Sequence, residues 1–170
     1  MNARATDITT EIASVLRMTY GRDGRWHILV RPEVRLRDDV FMPDVAGWRR
    51  EQLSDLPVRG AVEVVPDWAC EVFSRDEAYR PRIAKCTAYQ QAGVHWLWRV
   101  FADDGVLEVL RNERGWLVTG AYGDAIARVE PFEGVAFEFD RLFGVYRARA
   151  DSSSYTSPHS TPASTINAET

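Results

Sequence analysis

Residues 66–74 read Pro66-Asp67-Trp68-Ala69-Cys70-Glu71-Val72-Phe73-Ser74. Trp68 to Phe73 is a short apolar run with aromatic and β-branched members, bounded by turn formers, which is the pattern of a buried strand. Arg80-Pro81 then opens a helix over 82–92, because proline is tolerated in a first helical turn, and Gly93 ends it. The apolar run 95–101 follows as another strand.

Toward the N-terminus, Asp7 is placed to cap a helix over 8–20, with Ile8, Ile12, Val15 and Leu16 on one stripe and Gly21 as its stop. The turn Gly21-Arg22-Asp23-Gly24 leads into strand runs at 26–30, 33–36 and 41–48, broken by Pro32 and by Arg37-Asp38-Asp39. Residues 49–60 are a polar, turn-rich loop, and 62–65 reads as strand. Toward the C-terminus, runs at 106–111 and 116–122 flank Asn112-Glu113-Arg114-Gly115 as a hairpin. A short segment at 126–129 and a helical turn or two at 137–143 close the domain. Helix, several strands, helix and more strands make an α/β or α+β sheet with few helices, not a doubly wound fold. We take 1–150 as one domain. Residues 151–170 are half serine and threonine with little to bury, and form a predicted disordered tail.

The chain has 170 residues, 45% apolar and 27% charged, enough for one sizeable core. No apolar run approaches the ~20 residues of a membrane span, and the first residues lack the apolar core of a signal peptide. Cys70 and Cys86 fit neither a disulfide framework nor a zinc site, so they read as buried thiols in a reduced cytoplasm. The net charge of -4 excludes a dedicated nucleic-acid coat or a basic membrane binder. It leaves room for an enzyme that meets nucleic acid at one local patch. Of 21 basic residues only Lys85 is a lysine, whose ammonium, unlike a guanidinium, can be tuned in pKa.

Three acids stand among apolar neighbours: Glu33, Asp44 and Glu71. Burying a carboxylate costs several kcal/mol unless it is paired or bound to a cation. Two carboxylates converging from adjacent strands make a site for a hard cation such as magnesium, which takes one or two carboxylates plus waters and substrate phosphate. The plainer alternative is that each acid sits at a strand end, facing water or an arginine. Asp67 stands four residues before Glu71, roughly 13 Å along the same strand, too far to share an ion, and reads as the residue at which the strand begins. Lys85 lies about one turn into the second helix and shares a face with Tyr89. A helix returning over its own strand brings that ammonium near Glu71; the alternative is a solvated lysine.

Pro43-Asp44-Val45-Ala46-Gly47-Trp48, the 66–74 stretch, Lys85-x3-Tyr89-x3-Gly93-Val94 and Glu130-Pro131-Phe132, in this order and spacing, resemble the restriction endonuclease family of the Uma type, within the PD-(D/E)XK nuclease superfamily. The resemblance covers roughly residues 26–143. It implies a restriction-endonuclease-like fold, a central mixed β-sheet flanked by a few helices. It implies an Mg²⁺- or Mn²⁺-dependent endonuclease hydrolysing DNA phosphodiester bonds. Asp44 and Glu71 would be the motif acids and metal ligands, Glu33 a further metal-binding acid, and Lys85 the catalytic lysine, moved from two residues after Glu71 to the helix. Arg35, Arg49, Arg50, Arg75 and Arg82 are candidates for contacts to the DNA backbone, and an acidic enzyme that cuts both strands suits a homodimer.

The chain departs from the family pattern at its N-terminus, which lacks an acid-bearing β-hairpin before the first helix. It departs also at Ser74-Arg75-Asp76-Glu77, at Pro81 and at Arg99-Val100-Phe101. The alternative function is therefore a catalytically inactive or shortened nuclease fold that serves as a binding module.

Overall fold

A computed structural model describes residues 3–75, 78–124 and 126–144; the tail predicted over 151–170 lies outside them. In chain order the elements are α1 (Ala3–Leu16), a π-helical turn (Arg17–Gly21), β1 (Trp26–Val30), β2 (Val34–Leu36), β3 (Asp39–Phe41), β4 (Val45–Arg49) and β5 (Trp68–Phe73). Then come α2 (Tyr79–Ala92), β6 (Trp96–Phe101), β7 (Val106–Asn112), β8 (Trp116–Tyr122), β9 (Ile126–Arg128) and β10 (Ala136–Glu138). A helical turn over 139–144 ends the described chain. No helix among the described residues is long and apolar enough to cross a membrane.

Six strands form one mixed sheet in the order β1-β4-β5-β6-β7-β8. Only the β5/β6 pair is parallel, because α2 carries the chain back over the sheet between them. The remaining pairs of this sheet are antiparallel. β2 with β3, and β9 with β10, form two separate ribbons.

The sheet is covered on both faces, so β5 is buried at all six positions. Its even-numbered residues, Trp68, Cys70 and Val72, pack with α1 and an aromatic cluster that includes Trp26, Trp98 and Phe132. Its odd-numbered residues Ala69 and Phe73 face Cys86 and Tyr89 of α2. Phe132 sits at the centre of the aromatic cluster, within 5.6 Å, centroid to centroid, of Tyr20, Trp26, Trp68 and Trp98.

Several sequence expectations change. The first helix starts at Ala3, not 8, because Ala5 extends the buried stripe of Ile8, Ile12 and Leu16 by another turn. Asp7 therefore lies inside the helix, exposed, rather than at its cap. The predicted strand 41–48 divides at Pro43 into β3 and β4, since proline interrupts a ladder. Residues 62–65 form no strand; Val62 makes a single parallel bridge to Val34. The predicted helix at 137–143 is half β10, half helical turn.

Gly47 marks how tightly β4 is held. A Cβ there would lie 3.1 Å from Ile28 Cδ1 and Trp68 Cε3 and 3.2 Å from Trp26 Cε3, the first two being side chains of its cross-strand partners. Gly47→Ala is expected to lose about 1–3 kcal/mol in urea unfolding, the usual cost of overpacking. A variant as stable as wild type would mean that the two indoles move aside freely.

Candidate active site

Asp44 immediately precedes β4, and Val45 pairs with Cys70 of β5. Continuing that register by one residue sets Asp44 beside Glu71, both on the sheet face that α2 covers. Asp44 is 5% exposed and Glu71 1%. The backbone N–H of Val72 donates to Asp44 Oδ2 at 2.7 Å, which locks this carboxylate against β5.

On α2, residues 82, 85, 86 and 89 fall on one stripe at the three- and four-residue spacing of a helix face. An ordinary amphipathic helix would place apolar residues there. This one turns Arg82 and Lys85 toward the acids. Lys85 Nζ donates to both Glu71 oxygens at 2.9 Å and to the Met42 carbonyl at 2.7 Å. The Tyr89 hydroxyl donates to Glu71 Oε1 at 2.7 Å. Arg82 Nη1 stands 3.9 Å from Asp44 Oδ2, bonds to the Val72 carbonyl, and its guanidinium lies 4.9 Å from the Phe73 ring centroid. Each buried acid thus has a cation from α2, which answers why two carboxylates are tolerated in mid-sheet.

The electrostatics follow from this crowding. Burial pushes the Glu71 carboxyl above the usual carboxylate range and the Asp44 charge adds to it, while Lys85 and Tyr89 pull the other way. Burial, with the Glu71 charge, raises the Tyr89 phenol well above its ordinary value. The Cys86 thiol is pushed up to about 11, chiefly by burial, and burial raises Cys70 as well. Both cysteines are free and buried, hence unreactive near neutral pH.

Because native Glu71 holds its proton more tightly than the unfolded chain does, its contribution is most favourable below the unfolded titration near 4.5. That contribution is lost as pH rises through the higher native value. The melting temperature of wild type relative to Glu71→Gln is therefore expected to fall from about pH 4.5 to 7. A difference that stays constant or grows across this range would contradict the assignment.

Other sequence candidates lie elsewhere. Glu33 is exposed, with no hydrogen bond or ion pair linking its side chain to these residues. Val34 and Leu36 of β2 turn inward to the α2-side core, so the alternating Glu33 and Arg35 point out. Asp67 does stand where β5 begins: its Oδ2 accepts from Arg49 N at 2.8 Å and its carbonyl from Trp96 N at 3.1 Å. Of the five arginines, only Arg82 reaches the acids. Arg49 ends β4 at the far end from Asp44, with Arg50 next to it; Arg35 pairs with Glu63 and Arg75 with Asp104. Sequence reasoning assigned no role to Tyr89 or to the Met42 carbonyl; the i+4 spacing of Tyr89 from Lys85 was the available signal.

No group of three or more His, Cys, Asp or Glu suited to a metal occurs among the described residues. The donor set is two carboxylates on adjacent strands. This fits a hard cation of the magnesium type, which completes its shell with waters and substrate oxygen. Asp44 and Glu71 are the residues that would hold it.

The model of the family Uma2, described as "Putative restriction endonuclease", matches residues 2–140. The match thus takes in α1, upstream of the residue 26 at which the sequence resemblance began. Among solved structures, the chain is similar to a "putative nuclease belonging to DUF820" from Anabaena variabilis. That match has a TM-score of 0.70 and 17% identity, covering 85% of this chain and 82% of that one. It carries the fold: a mixed sheet with few helices, as expected from the sequence. No curated protein matches the chain.

Proposed function

The chain belongs to the Uma2 family of restriction endonuclease-like proteins, and from that premise we propose that it is a metal-dependent nuclease that hydrolyses DNA phosphodiester bonds at Asp44, Glu71 and Lys85. The observation that carries this reading is the chain's lone lysine bonded to both oxygens of buried Glu71, which the β4/β5 register sets beside buried Asp44.

Phosphodiester hydrolysis needs an activated water and relief of the charge that builds on the phosphoryl oxygens. A divalent ion held by Asp44 and Glu71 would supply a water of lowered pKa and part of that relief. Lys85 has three donors on a flexible stem, which meet the Met42 carbonyl and the two Glu71 oxygens, and the stem lets one of them turn to a water beside Glu71. It orients the attacking water and stabilises the developing hydroxide. Tyr89, itself buried, donates to Glu71 Oε1 and so restrains the carboxylate's rotation. Val72 N–H does the same for Asp44.

The test is nicking of supercoiled plasmid by the purified full chain. Cleavage that requires Mg²⁺ or Mn²⁺ and stops in EDTA is the expected result. Tight metal binding with no cleavage of DNA, RNA or single strands would favour a nuclease fold kept as a binding module.

A further inference from the structure

Glu71 has a neighbour on its other side. In the parallel β5/β6 register its partner is Arg99, and in the β6/β7 register the partner of Arg99 is Glu108. Asp44, Glu71, Arg99 and Glu108 therefore make one row across four strands, with adjacent strands about 4.8 Å apart. Leu107 and Val109 of β7 pack on the α1 side, so Glu108 faces the α2 side with the rest of the row.

The guanidinium of Arg99 turns away from Glu71. Its Nη2 donates to Glu108 Oε2 at 2.5 Å, and it stands 5.9 Å from the Phe101 ring centroid. Glu71 does not need Arg99 for charge balance, since Lys85 already meets both of its oxygens. The Arg99 Nε is buried and has no acceptor. Side chains of Arg99 and Glu108 keep 23% and 26% of their surface exposed. A pair that served stability alone would satisfy its donors, and an apolar pair would stabilise the sheet as well. A partly exposed guanidinium, one strand from Glu71 and two from Asp44, which would handle a scissile phosphate, suits a second phosphate.

We propose that Arg99, whose guanidinium Glu108 holds when no nucleic acid is bound, anchors a backbone phosphate of the nucleic acid next to the one attacked at Asp44 and Glu71. This rests on the nuclease reading. Arg99 contacts substrate and takes no part in the bond change, so its loss shows first in binding.

The experiment measures binding of a labelled DNA duplex to the full chain in EDTA, as a function of salt. Arg99→Met is expected to weaken binding about tenfold and to reduce the slope of log affinity against log salt by about one, the signature of one lost phosphate contact. Glu108→Gln, which frees the guanidinium, is expected to bind at least as well as wild type. Thermal melts confirm that both variants are folded. Wild-type affinity and slope in folded Arg99→Met would overturn the anchor while leaving the nuclease reading intact. Equal weakening by both variants would mark the pair as structural and also overturn it. A wild-type chain that neither binds nor cuts nucleic acid would overturn the nuclease reading first, and the anchor with it.

Discussion

Asp44→Asn is expected to lower the rate of plasmid nicking at least about a thousandfold, since a bound cation's relief of transition-state charge amounts to several kcal/mol and each 1.36 kcal/mol is a factor of ten. The substitution is nearly isosteric. An amide oxygen can still accept the 2.7 Å bond from Val72 N–H, so β4 keeps its contact with β5. What is lost is the negative charge. The amide is a poor ligand for a hard cation, and Arg82, 3.9 Å away, loses the carboxylate that it faces. The variant should therefore melt close to wild type while its cleavage disappears. Activity within tenfold of wild type, measured on folded protein, would remove Asp44 from the site.

Lys85→Met should reduce the rate constant for cleavage about 10²–10⁴-fold, the usual range for a positioned acid-base group. It acts on stability too. Glu71 is 1% exposed and would lose the partner that holds both its oxygens. Removing one member of a buried pair costs about 3–5 kcal/mol. Lys85 itself keeps 26% of its side-chain surface exposed and Glu71 can take up a proton, so about 1–3 kcal/mol is expected. The double variant Glu71→Gln/Lys85→Met should recover part of that loss, because the uncompensated charge is gone. Lys85→Arg should not restore cleavage, since a planar guanidinium cannot place one donor on Met42 and keep a compact ammonium at Glu71. Wild-type cutting by Lys85→Met would end the catalytic assignment of the lysine.

The central unit of the fold was legible because burial on both sides left no ambiguity. Trp68–Phe73 is apolar apart from Glu71, Gly93 closes α2 with its φ of +92°, and the helix between two strands forces them parallel. Boundaries failed where a weak signal competed. Asp7 looked like a cap, but Ala5, a residue with no strong pattern of its own, is fully buried and carries the helix back to Ala3. The run 62–65 has strand composition, yet only Val62 finds a partner. Composition cannot reveal which neighbour a strand will meet.

The site divides the same way. Asp44, Glu71 and Lys85 were visible as anomalies: acids among apolar residues and one lysine among arginines. Glu33 looked alike in composition but sits on the outward parity of β2, set by the inward turn of Val34 and Leu36. Arg99 stood out only as part of a departure from the family pattern and was given no role. Its place beside Glu71 follows from the β5/β6 register, which is a tertiary fact and leaves no local trace.

The most direct test of the trio is calorimetric titration of Mn²⁺ into the purified chain. The two acids, one strand apart and each countered from α2, are expected to bind one ion per chain, with binding abolished in Asp44→Asn and in Glu71→Gln. Undiminished binding in either folded variant, or none in wild type, would contradict the assignment of these acids as the metal-holding pair.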